Sequence, residues 1–278
     1  MDSHFRADHS SGRLPPEYLE EAGISWRVYQ DVDNYLCDTL DQFKQFQEQN
    51  KWHSPFARKG PGHPGLDQFY EGAKNGSLPE MSYVVGPTDL CAHPPVMPQS
   101  GARVHRWMTD TVMNGKHWDS TALFVSYDET GGWADHVMSP HAPKCTPGEW
   151  TNNPYEKSMD MQPIGPGFRL PFYIASPFTR NGGVFTEHAA HESQILFLVE
   201  WSKTTGRPWE SQEINPWRRK HLSNLVNAFD FSNPDQSVPH VTAVKKPIQE
   251  SATGLLFGGP LPCALARSVV SHGTLQRG

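Results

Sequence analysis

Two adjacent carboxylates, Asp128 and Glu129, follow the apolar run Thr121-Ala122-Leu123-Phe124-Val125-Ser126-Tyr127 and precede Gly131-Gly132 and then Asp135-His136. Hard oxygen donors of this kind suit a divalent cation. The apolar run predicts a buried strand of an α/β protein. Ligands of open α/β sheets bind in the crevice beyond the carboxyl ends of such strands. Gly131 and Gly132 let the chain double back, so that Asp135 and His136 can face the same crevice. The plainer reading is a solvated acidic turn with a surface histidine, since Asp-Glu before Gly-Gly is common in turns. The strand on one side and the Asp-His pair on the other favour a site.

Two further histidines sit at comparable places. His93 follows the apolar run Met81-Ser82-Tyr83-Val84-Val85, and Pro94 and Pro95 stiffen the loop that presents it. On pattern alone it is also an ordinary loop residue. His191 lies in Glu187-His188-Ala189-Ala190-His191-Glu192-Ser193, just before an amphipathic stretch from Gln194 to Thr204. There it can cap a helix or face the crevice.

The elements that must position these residues are legible as an alternation of helices and strands. A helix is predicted from Leu14 to Gly23, with prolines at its start and glycine at its end. A strand follows over Ile24–Tyr29, then the acidic loop Gln30–Asn34, which lacks the spacing and closing Glu of an EF-hand. Helices are expected over Leu40–Asn50, Leu66–Gly76 and Gly101–Asn114, the last with Val104, Trp107, Met108 and Val112 on its apolar face. That helix would be the crossover from the Met81–Val85 strand to the strand before Asp128. His53–Gly65 reads as a loop, and its glycines do not form a P-loop. Pro140–Pro166 reads as an exposed loop that roofs the crevice, and Arg169–Pro177 as a third strand. A last helix is expected from Asn215 to Phe231, followed from Ser232 by a linker and a tail without periodicity.

At 278 residues, the chain is long enough to bury a core. Its 25 prolines, 23 glycines and 9 tryptophans describe a loop-rich globular protein rather than a disordered one. The net charge of -6 and the lack of a long basic run argue against a nucleic-acid partner. Cys37, Cys91, Cys145 and Cys263 form no C-x-x-C pair, which excludes a zinc ribbon; two disulfides are permitted but not required. No apolar run approaches the roughly 20 residues of a transmembrane span. The first residues hold no signal-like apolar region. Asn75 opens one Asn-Gly-Ser sequon.

Taken together, Tyr127-Asp128-Glu129 with Gly132 and Asp135-His136-Val137 resembles the signature of the bacterial and fungal phosphoesterase family, which holds phosphatidylcholine-preferring phospholipases C and acid phosphatases. Further blocks match in the family's order: the run ending at Trp26, His93-Pro94-Pro95, Arg169-Leu170-Pro171 with Ser176-Pro177, His191 with Ser193, and Asn215–Arg219 followed by Ala228-Phe229-Asp230-Phe231. They extend from Leu14 to Phe231.

The resemblance implies an α/β fold of the alkaline-phosphatase-like α/β/α sandwich type and metal-assisted hydrolysis of a phosphate ester. By that analogy Asp128 and Glu129 are ligands of a divalent metal ion, His93, His136 and His191 are catalytic, and Asp135 and Gly132 support them. A loop histidine can donate to phosphoryl oxygens or protonate a leaving alkoxide. The substrate would be a phospholipid or another phosphate ester. The family's Glu-Asn metal-binding pair and its Ser or Thr nucleophile find no match in this sequence. The expectation is therefore a carboxyl-terminal portion lacking the first strands, with residues 1–13 irregular, 14–231 the phosphoesterase domain and 232–278 an irregular tail. Three functions follow as alternatives: a phospholipase C-type hydrolase, an inactive binder of metal or phosphate, and an acid phosphomonoesterase. Relatives of this kind are usually secreted or periplasmic.

Overall fold

A computed structural model describes residues 12–31, 38–47, 54–94, 96, 98–132, 135–152, 161–179, 183–245, 248–249 and 256–257. In chain order, α1 (Pro15–Glu21) leads into β1 (Trp26–Tyr29), and the short helices α2 (Lys44–Gln47) and α3 (Pro55–Lys59) precede α4 (Leu66–Asn75) and β2 (Met81–Val84). Then come α5 (Pro98–Met113), β3 (Leu123–Ser126), β4 (Trp150–Thr151), β5 (Gln162–Pro163) and β6 (Phe172–Ala175). The helices α6 (His191–Thr204) and α7 (Pro216–His221) and the two-residue ladder of β7 (Ile248–Gln249) with β8 (Leu256–Phe257) follow. This is a mixed α/β architecture.

β1 and β2 pair in parallel, Trp26 opposite Met81 and Tyr29 opposite Val84. Side chains alternate across a strand, and β1 uses both faces. Trp26 and Val28 enter one cluster with Tyr18, Leu19, Ile24, Leu40, Phe46, Val199 and Trp209. Tyr29 enters a second cluster with Leu66, Phe69, Val112, Met113 and Trp118. Two buried apolar faces on one short strand are the signature of a sheet covered by helices on both sides.

Local chemistry sets the ends of these elements. The Asp31 carboxylate accepts from the Leu66 amide at 2.8 Å and so caps α4, which gives the acidic loop after β1 a structural use. Gly76 ends α4 at φ +79°, where a side chain would be strained and its Cβ, 2.6 Å from His117, would have to push that ring aside. Ser54 caps α3 with proline in its first turn, placing a helical turn inside the expected His53–Gly65 loop; His53 itself lies outside the described residues.

Several expectations are corrected. The Leu40–Asn50 stretch is broken at Phe43, whose extended backbone separates a 3-10 turn from α2 and lets both Leu40 and Phe46 reach the core. Trp107 does not join the apolar face of α5; it is exposed beneath the Arg103 guanidinium, 4.5 Å from the ring centroid. α5 does run from β2 towards β3, but those strands are not paired. β3 pairs antiparallel with β6, Leu123 opposite Ala175 and Ser126 opposite Phe172, and its apolar run is half-buried rather than buried. The last helix stops at His221 because Leu222 is extended and Leu225, fully buried, turns the chain at φ +62°. Burial of the leucine side chain offsets that backbone strain. The segment after Ser232 is not a free linker as far as it is described: Val241 packs on the second cluster and the Arg106 guanidinium donates to the Thr242 carbonyl.

Glu80, just before β2, fastens the two ends of this core. Its carboxylate accepts from the Ser25 amide and hydroxyl at 3.0 Å each, and from both terminal nitrogens of Arg207 beyond α6. These donors, Arg207 first, bring its pKa from 4.5 to about 2. A depressed carboxyl pKa contributes stability that is present above the unfolded value and lost as pH falls through the folded one. The pair is partly exposed, so Glu80→Gln is expected to lower stability by only about 1 kcal/mol at neutral pH. Urea unfolding of both proteins should show that difference shrinking as pH falls from the ordinary value of 4.5 towards about 2.

Candidate functional site

β3 delivers the sequence Tyr127-Asp128-Glu129 to an exposed edge, and two other parts of the chain meet it there. From the loop before α5, His93 brings Nε2 to 3.6 Å from the Glu129 carboxylate. From the first residue of α6, His191 Nε2 donates to the Tyr127 carbonyl at 2.9 Å. The tautomers follow from the acceptors. A carbonyl oxygen can only accept, so Nδ1 of His93, 2.7 Å from the Pro94 carbonyl, carries a proton and turns Nε2 towards Glu129 and solvent. His191 by the same reasoning is protonated on Nε2, with Nδ1 left over.

The Glu129 carboxylate also accepts from the Gly131 amide at 2.7 Å, closing a tight turn. Gly131 and Gly132 have φ of +61° and +80°, conformations that a side chain would strain. Asp128 is exposed and takes part in none of these contacts. Neighbouring residues at a strand end start on opposite faces, so the two carboxylates do not converge merely by being adjacent.

The Asp135-His136 pair is divided. Asp135, only 9% exposed at its side chain, is clasped by Arg169, whose Nη2 donates at 2.7 Å and Nε at 3.0 Å, while the Arg169 amide donates at 3.0 Å. The Arg169 guanidinium, helped by these amide donors, holds the Asp135 carboxyl well below the usual carboxylate range. His136 is 92% exposed, with Nδ1 3.9 Å from Asp135, and is not brought to His93 or His191. Gly132 and Asp135 thus shape the turn and its exit, while His136 stands apart in solvent.

The metal expectation can be tested on the donor set. Among the described residues no three His, Cys, Asp or Glu side chains are grouped so as to hold an ion. Asp128 and Glu129 would supply two oxygen-bearing groups, short of the six to eight ligands of calcium or the octahedron of magnesium. The residues as placed do not fit a complete divalent-cation site. Cys91 and Cys145 are free thiols, and Cys37 and Cys263 lie outside the described residues.

One network central to this edge is absent from the sequence reading. Glu149, 0% exposed, accepts from Arg218 Nε at 2.6 Å and from Asn215 Nδ2 at 2.5 Å. Arg218 also donates from Nη1 to Glu192, the residue after His191. Burial opposes ionisation of Glu149, but the hydrogen bonds from Arg218 and Asn215 outweigh it and the pKa falls. The expected roof loop is therefore anchored at Glu149, and α7 is tied through Arg218 to the start of α6. Asn215 and Arg218 stand in one of the matched family blocks, and Arg169 in another. That was the signal available; Glu149, 66 and 69 positions from Asn215 and Arg218, carries no local mark.

Comparison with known proteins gives a consistent result. The phosphoesterase family model matches residues 3–202. A non-hemolytic phospholipase C of Pseudomonas aeruginosa is 32% identical over 268 residues, covering 90% of this chain and 38% of that protein. Phospholipase C A of Mycobacterium tuberculosis is 31% identical over 241 residues, covering 82% of this chain and 45% of that one. The non-specific phospholipase C1 of Arabidopsis thaliana is 29% identical over 179 residues, 61% of this chain and 30% of its own. The chain thus spans less than half the length of these relatives.

Removing Arg218 would leave a buried carboxylate without its cation. Arg218→Ala is expected to destabilise the protein by about 3–5 kcal/mol, while an apolar replacement of both Glu149 and Arg218 should recover much of that loss. Urea midpoints of the single and double variants measure it.

Proposed function

This chain belongs to the phosphoesterase family, and from that premise we propose that its strand-end site serves hydrolysis of a phosphate ester, with the phosphodiester of a phospholipid as substrate class. The observation that carries the reading is the meeting of His93, Glu129 and the His191–Tyr127 contact at the carboxyl end of β3. Three separate segments supply it, and the relatives that share these segments are phospholipases C. We also propose that the β1–β2 and β3–β6 ladders belong to an alkaline-phosphatase-like α/β/α sandwich, supported by the parallel pairing of β1 with β2 and by helices on both faces of β1.

The side chains divide the work by position. His93 presents Nε2 beside a carboxylate at an exposed edge, where the doubly protonated ring can donate from Nε2 to a phosphoryl oxygen or pass that proton to a departing alkoxide. Glu129 faces that ring at 3.6 Å and is itself fixed by the Gly131 amide. His191 fixes the Tyr127 carbonyl, and so the direction in which the chain leaves β3. Asp128 and Glu129 are the carboxylates proposed to contribute to a divalent-cation site whose other ligands the described residues do not supply.

That shortfall is the specific observation behind a second reading, in which the chain binds phosphate without turning it over. Hydrolysis of p-nitrophenylphosphorylcholine and p-nitrophenyl phosphate, with and without EDTA, separates the readings. Turnover of the choline ester that is lost in Asp128→Ala and reduced roughly 10²–10⁴-fold in His93→Ala supports the hydrolase. Turnover of the monoester alone selects an acid phosphatase. Folded protein that releases no p-nitrophenol from either compound overturns the hydrolytic reading.

A further inference from the structure

Next to the strand end lies a cavity that the chemistry above does not use, about 270 Å³ in volume. α5 supplies Ala102, His105 and Thr109, β6 supplies Tyr173, and Val244 closes the outer side. Positions 102, 105 and 109 of α5 follow helical spacing and form one stripe along the helix. The stripe is distinct from the one that carries Val104 and Val112 into the core. Ala102 is the small residue in it, and its missing side-chain volume leaves room in the lining. The segment that carries Val244 is held from both directions: Val241 packs on the second apolar cluster, and the Arg106 guanidinium donates to the Thr242 carbonyl at 3.4 Å.

The lining narrows the class of occupant. Arg106, which also faces the cavity, donates from Nε to Asp110 at 3.0 Å, so cation and carboxylate answer each other and neither calls for a charged ligand. The Thr109 and Tyr173 hydroxyls are hydrogen-bonded to each other. That leaves the His105 ring, which stands edge-on to Tyr127 and Tyr173 with centroids 5.5 and 6.2 Å away. Among the described residues it has no hydrogen-bond partner. Burial pushes its pKa down and keeps it neutral, with one donor and one acceptor nitrogen. A hydroxyl is donor and acceptor at once and matches such a group, whereas a carboxylate or an ammonium would bring in an unbalanced charge. The rings in the wall favour a further ring, because aromatic pairs settle edge-to-face or offset. An apolar cavity of about 150 Å³ already takes benzene, so this one has room for a single substituted ring.

We propose that this cavity is a binding site for a small neutral phenol, its ring packed against Ala102, Tyr173 and Val244 and its hydroxyl on the His105 ring. The site is separate from Asp128 and Glu129 but adjoins them through Tyr127, whose ring meets His105 and whose carbonyl is held by His191.

Ligand-observed NMR titration of the whole chain with phenol, toluene and cyclohexanol tests the proposal. Wild type should bind phenol saturably and cyclohexanol several-fold more weakly, since the saturated ring loses the aromatic contacts. Ala102→Leu fills the cavity from a half-buried position on α5 and should abolish binding of phenol and toluene alike. Its urea midpoint should stay within a few tenths of a molar of wild type. His105→Phe keeps a ring and removes the nitrogens, so phenol should weaken about tenfold while toluene changes little. No saturable phenol binding by wild type overturns the proposal, as does phenol binding retained in Ala102→Leu. Cyclohexanol bound as tightly as phenol overturns the aromatic class. Folded His105→Phe protein in which phenol and toluene change equally removes His105 as the polar partner and overturns the assignment. None of these readouts involves turnover, so the outcome is independent of the hydrolase reading.

Discussion

A buried carboxylate has to be answered by a cation, and in this protein that requirement organises the half of the chain around the site. Glu149 is fully enclosed, so its charge is tolerable only with Arg218 and Asn215 against it. Arg218 in turn reaches Glu192 in the first turn of α6. One guanidinium therefore ties Glu149, between β3 and β6, to the short helix α7 and to the start of the helix that carries His191. Arg218 is itself nearly buried, which keeps the pair from being screened away by solvent and salt.

The site built on this frame is an edge rather than a cavity. Its parts come from a strand end, a proline-stiffened loop and a helix start, and each is held by a backbone contact: Gly131 to Glu129, Pro94 to His93, Tyr127 to His191. Backbone contacts fix ring orientation and proton position without drawing on other side chains. Asp128, exposed beside Glu129, takes part in none of these contacts.

Much of the scaffold was legible because it obeys local rules. The helix over Leu66–Asn75 shows its glycine stop, the helix at Pro15 its proline start, and the short strands their apolar runs. The errors came where burial overrode local preference. Phe43 breaks a helix so that Leu40 and Phe46 can both be buried, and Leu225 accepts a positive φ for the same reason. At the site, the positions of His93, Glu129 and His191 at strand and helix ends were readable from their setting. The solvent-facing course of His136 was not, because Asp135 is turned by an arginine 34 residues away.

The sequence by itself determined the family, the succession of helices and strands, and the residue types gathered near the end of β3, because periodicity, capping and motif order are local properties of a chain. Tertiary structure decided the rest. It paired β3 antiparallel with β6, anchored the loop after the acidic turn through Glu149, and sent Asp135 to Arg169. Pairing between distant residues depends on which charges and apolar faces are buried together, and burial is a property of the folded chain that no neighbouring residues record.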